Sequence, residues 1–178
     1  MQRSFQELGA VHEALFERLR AFREAVALGE PAAVHARFAA FALGLVAHAR
    51  AEDLHLLPIY ARLAAAPAGA SAELISAEHD KLRRLLAELE AALLTIPKEG
   101  PLPAAARVAI LDRSLVVAHL LDHHDERERA RFFAGLDQVV RPEELEAVWA
   151  ACDALHAGAG LPAEPVVTPA TAPSRNRP

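Results

Sequence analysis

Four apolar rows run through this chain at alternating steps of three and four residues, and a histidine interrupts every one of them. A row of that period is one face of an α-helix, so a polar residue within it has to be reconciled with burial. The first row is Phe5, Leu8, Leu15, Leu19, Phe22 and Val26, with His12 inside it. The second is Val34, Phe38, Phe41 and Leu45, then His48, Glu52, His55 and Ile59. The third is Ile75, His79, Leu82, Leu86, Leu89 and Leu93. In the fourth, at about 100° per residue, Ile110, Val117, Leu121, His124, Glu128 and Phe132 share a sector of roughly 80°.

Breakers separate the rows. Gly29 ends the first helix and Pro31 opens the second, where its missing N–H is not needed. Pro58 is expected to kink or nearly end that helix, and 67–70 forms a loop before Ser71, a good N-cap. Pro97, Gly100, Pro101 and Pro103 break the chain before a fourth helix over about 104–134, and Gly135 and Pro142 bracket a turn. A short fifth helix from Pro142 to about His156 carries Leu145, Val148, Trp149, Ala151 and Cys152 and docks on the rest. Residues 1–157 therefore read as one domain, and 158–178, rich in proline and small residues, as a disordered tail. Aromatic residues are 5% of a chain that is 53% hydrophobic, a vocabulary of helix formers; the class is all-α.

Charge and cysteine usage narrow the partners. A net charge of −5 supplies no field for a phosphate backbone, which argues against nucleic acid. No run reaches about 18 uninterrupted apolar residues, and the first seven residues lack an apolar signal core, so no membrane association is expected. The single Cys152 fits a reducing compartment, and the cytoplasm is the expected location.

The interrupting residues carry the chemistry. A lone inward histidine is ordinarily a hydrogen-bonded core residue, but a carboxylate removed from water costs several kcal/mol unless it is paired or bound to a cation. Here Glu52 and Glu128 both stand on apolar rows, each four residues after a histidine. That spacing stacks imidazole and carboxylate one turn apart, within reach of one metal or of adjacent metals. With His12 and His79 added, each half of the chain offers a lone histidine followed by a histidine and glutamate pair: His12 with His48 and Glu52, then His79 with His124 and Glu128. Four imidazoles and two carboxylates suit Fe, Mn or Zn by ligand type, and open positions favour iron over a closed zinc site. A metal-free polar network within a helical interaction module is the competing account. His55 faces inward one turn past Glu52 and reads as an additional ligand, an outer donor or a gate. His119 and His123 form a cluster with Asp122 and Glu126 on the outer face of the fourth helix, most simply a solvated surface, while His35 and His156 carry no usable pattern.

These strings resemble the hemerythrin-like family of HHE cation-binding domains. The resemblance rests on His12, on His48-Ala49-Arg50-Ala51-Glu52-Asp53 with Leu57-Pro58, on Glu78-His79, and on His124-Asp125-Glu126-Arg127-Glu128 with Phe132-Phe133. It implies an up-down-up-down four-helix bundle and a carboxylate-bridged pair of non-haem irons held by His12, His48, Glu52, His79, His124 and Glu128. It further implies a centre that binds or senses a small diatomic molecule or a peroxide, with peroxide degradation or iron-centre repair as the enzymatic alternatives. Oxygen carriers of the family place two histidines four apart on the third helix, whereas Ile75 and Arg83 flank His79 here, and the proline usual after the fourth-helix motif is Ala134. A ferritin-like site is a poor fit, because the chain has one Glu-x-x-His string, from Glu52 to His55.

Overall fold

A computed structural model describes residues 3–96 and 100–162. No strand occurs among these residues, and the helices follow the apolar rows. A 3-10 turn, Phe5–Leu8, leads into α1, Gly9–Leu28; Ser4 caps the turn, accepting from the Gln6 N–H while Glu7 receives the Ser4 N–H. Gly29 closes α1 at φ 76°, a left-handed conformation that glycine adopts without the penalty of a Cβ. Pro31 then starts α2, Pro31–Ala51, which continues through a wider turn, Glu52–Leu56, into α3, Leu57–Tyr60.

The second half repeats this plan. Ser71 caps α4, Ala72–Leu93, by accepting from the Leu74 N–H. Next comes α5, Ala104–Arg127, which passes through another wide turn, Glu128–Phe132, into α6, Phe133–Val139. Pro142 occupies the first turn of α7, Pro142–Gly158.

The two long rods and their partners make an up-down-up-down four-helix bundle. α1 packs against α2 and α5, and α4 against α5, while α7 lies along α2 and its wide turn. The run Pro31–Tyr60 is apolar and long enough to cross a membrane by composition. Its apolar residues Val34, Phe38, Phe41 and Leu45 are nevertheless buried in the bundle core, and the same rod carries His48 and Glu52 inward.

Two expectations need revising. Gly135 does not open a turn; it is buried inside α6, where a Cβ would come within 2.5 Å of the Tyr60 ring. The fourth rod therefore runs on to Val139. At the C-terminus the packed chain extends past residue 157, since Ala159 and Leu161 are buried; Arg18 donates to the Ala159 carbonyl at 2.9 Å. The remainder of the expected tail lies outside the described residues. Trp149 and Cys152 face into the fold: Trp149 stacks on Phe5 with ring centres 5.1 Å apart, and the Arg3 guanidinium covers it at 3.6 Å.

Candidate metal centre

Both wide turns begin at a glutamate. The Leu57 N–H donates to the Glu52 carbonyl and the Phe133 N–H to the Glu128 carbonyl, five residues back instead of four. Such π turns insert one residue into a helix and re-aim whatever follows. Pro58 has no N–H to give the ladder, which eases the first turn, but Ala134 occupies the equivalent place in the second, so proline is not what creates it. The extra residue also resets the inward face. Leu56 becomes fully buried, and His55 is left half-buried and outside the clusters of metal-binding geometry.

Six side chains converge midway along the bundle. His12, His48, Glu52, His79, His124 and Glu128 are all at most 2% exposed. They form two groups whose candidate donor atoms lie within 4.8 Å of one another: His12 and His48 with both glutamates, and His79 and His124 with the same two. The Nε2 atoms of His12 and His48 are 2.6 Å apart, and those of His79 and His124 are 3.1 Å apart. Each glutamate divides its oxygens between the pairs. Glu52 places Oε1 3.5 Å from His48 Nε2 and Oε2 3.2 Å from His79 Nε2. Glu128 places Oε2 3.2 Å from His12 Nε2 and Oε1 3.1 Å from His124 Nε2.

The far side of each imidazole is also engaged. His79 Nδ1 donates to Asp53 at 2.7 Å, and Asp53 is held by Arg83. His124 Nδ1 donates to Glu78 at 3.0 Å, and Glu78 is held by Arg127. His12 Nδ1 pairs with Asp125, which receives Arg129 at 2.7 Å. Three histidines thus share one arrangement of arginine, carboxylate and imidazole. The fourth differs: His48 Nδ1 faces Nε2 of His156, from α7, at 3.4 Å.

Burial and charge pull the proton affinities in opposite directions. Burial alone lowers His12, His79 and His124, but the carboxylates around them reverse this and lift His12 and His79 to about 9 and His124 to about 10. Burial also lowers His48, where the Glu52 charge does not compensate, and His156. For Glu128 burial acts upward, and the positive charge of the His124 and His12 rings beside it holds it far below the carboxylate range. Asp53, Glu78 and Asp125 are likewise pushed up by burial and pulled down further by their histidine and arginine partners.

This donor set fits a cation. A carboxylate oxygen only accepts, so when His12, His79 and His124 carry a single ring proton it sits on Nδ1, and Nε2 turns a lone pair inward, ready for a cation. None of the four oxygens of Glu52 and Glu128 meets a hydrogen-bond donor, although all are shut away from water. Protons on the imidazoles answer this poorly, because the 2.6 Å between His12 and His48 leaves room for one N–H at most. Positive charge placed between the nitrogens and oxygens satisfies them together.

Residues outside the centre are plainly placed. His119 and His123 are exposed, and His123 lies 3.9 Å from Glu126. Several residues that act on the centre have no role assigned from the sequence: Asp53, Glu78 and Asp125, which stand only as members of the matching strings, their arginines, and His156. The acids did carry a signal, since each stands next to an inward residue of the site: Asp53 after Glu52, Glu78 before His79, Asp125 after His124.

An all-α bundle with two buried histidine and glutamate groups in its interior defines a four-helix protein whose core could hold a metal. The family description Hemerythrin HHE cation binding domain matches residues 4–136, and the chain belongs to that family. No match was found among curated proteins or among solved structures. The matched stretch contains both wide turns and all six converging residues, and it ends before α7.

Proposed function

We propose that this bundle is a non-haem di-iron protein that binds or senses a small oxidant: oxygen, nitric oxide or a peroxide. One observation carries the reading: Glu52 and Glu128 each turn one oxygen toward either histidine pair, as a residue bridging two ions must. His12 and His48 would hold one iron and His79 and His124 the other, with Glu52 and Glu128 available to both. Iron held by such a set of imidazoles and carboxylates would supply redox chemistry to an outside ligand.

The chain's own residues set the conditions. Phe41, Leu45, Leu82 and Val117 are buried in the core and keep bulk water from the centre. On the third helix, Ile75 is buried and apolar while Arg83 is committed to Asp53, so neither adds a donor to the His79 iron. Asp53, Glu78 and Asp125 orient the imidazoles and strengthen them as donors.

The test is to load the purified full chain with iron and record metal content with the ultraviolet and visible spectrum. Two irons per chain, and a bridged-iron absorption band that oxygen or nitric oxide alters, are the expected result. Two irons with a spectrum that none of these ligands perturbs would refute small-oxidant binding. Sustained oxygen evolution from hydrogen peroxide would make the centre catalytic.

A further inference from the structure

The four candidate ligand histidines are not equally supported, and the exception comes from outside the matched domain. His156 lies on α7, beyond residue 136, yet it is 1% exposed and reaches His48. It closes the inward row Leu145, Trp149, Cys152 and His156 on a helix that packs along α2 and the wide turn at Glu52. The rings of His48 and His156 stand 5.5 Å apart at 35°, and Nδ1 of His156 has no partner of its own. The geometry is that of an acceptor nitrogen held against the far side of His48.

An imidazole is a weaker acceptor than an arginine-held carboxylate, and outer partners tune how strongly a ligand histidine donates. His79 and His124 are both backed by carboxylates. Of the other pair, His12 is backed by Asp125 and His48 by His156 alone. Resting on the di-iron reading above, we infer that His156 is a positioning residue for His48 and makes the two metal positions unequal. The position held by His12 and His48 is the weaker and releases its metal first; the position held by His79 and His124 is the tighter.

The test uses the full chain with Co(II), measuring the two affinities by competition with a chromogenic chelator for the wild type, H156L, H156Q and H156N. Glutamine places an amide oxygen where Nε2 of His156 stands, whereas asparagine reaches only the Nδ1 position and falls short of His48. The wild type is expected to show two unequal affinities. H156L and H156N weaken the lower one by about 10- to 100-fold and leave the higher within about twofold, and H156Q restores the lower one to within a few-fold. Thermal melts of the metal-free variants check folding, and the contrast between glutamine and asparagine separates positioning from simple packing. Equal loss at both positions, no loss at either, or identical behaviour of H156Q and H156N overturns the role of His156 while the di-iron reading stands. A wild type that binds fewer than two metals overturns both.

Discussion

Glu52 and Glu128 hold the same place in two different helices: each is the first residue of a five-residue π turn, and each divides its two oxygens between the histidine pairs. Neither pair is complete without both glutamates. E52Q or E128Q, which keep shape and remove charge, should therefore lower metal content from two per chain to about one or fewer. Mass spectrometry of metal in the purified variants checks this, and two tightly held metals in either variant would contradict bridging.

The carboxylates behind the histidines should matter nearly as much. D53N, E78Q and D125N each replace a charged acceptor with an amide of the same shape, leaving His79, His124 or His12 with a weaker outer partner. Metal affinity is expected to fall by about 10- to 100-fold in each, with the bundle still folded by circular dichroism. Chelator competition measures the change.

Stability without metal should fall as the solution becomes alkaline. His12, His79 and His124 bind protons more tightly folded, at about 9, 9 and 10, than at the ordinary value of 6.5. Their contribution is complete below pH 6.5 and disappears as pH climbs through those folded values. Glu128 has the opposite sense: held low in the fold, it favours the folded state above its ordinary 4.5 and loses that contribution as pH falls below it. The melting temperature of chelator-treated protein should decline steadily from about pH 7 to 10. Metal-loaded protein, whose imidazoles have no proton to lose at Nε2, should hold a nearly level melting temperature over the same range. Parallel curves would show that protons and metal do not compete for these nitrogens.

At Gly135 the constraint is space. The Tyr60 ring sits where a Cβ would project, and its hydroxyl donates to the Ala70 carbonyl at 2.7 Å, which fixes the ring. G135A should destabilise the bundle by about 1–3 kcal/mol through overpacking. For a chain of this size that corresponds to a melting temperature lower by roughly 2–12 °C in a thermal scan.

The parts of this fold that were legible in the sequence share a cause: helix period and burial act locally, so the rows from Phe5 to Val26 and from Ile75 to Leu93 could be read directly. The six converging residues showed up because a carboxylate on an apolar row has few inexpensive explanations. The π turns did not show up, because one surplus residue is invisible to a periodicity that extends over only a turn or two beyond it. His55 was placed inward on the assumption of an unbroken helix, and that one residue turned it aside. Gly135 reads as a break in the sequence because its reason, the Tyr60 ring, comes from a distant part of the chain. His156 closes an apolar row where His12 and His79 interrupt one, and unlike His48 and His124 it has no glutamate four residues later, so nothing in the sequence sets it apart.

Each π turn is one residue longer than a regular helix requires, and each has an exposed member, Leu54 in the first and Ala130 in the second. Deleting either would let the backbone close into an ordinary spiral while leaving the packed segments on both sides in phase. The shortened protein should melt higher and hold less metal. The surplus residue is thus a standing concession of robustness, kept twice over, and trimming it trades a place to hold metal for a firmer rod.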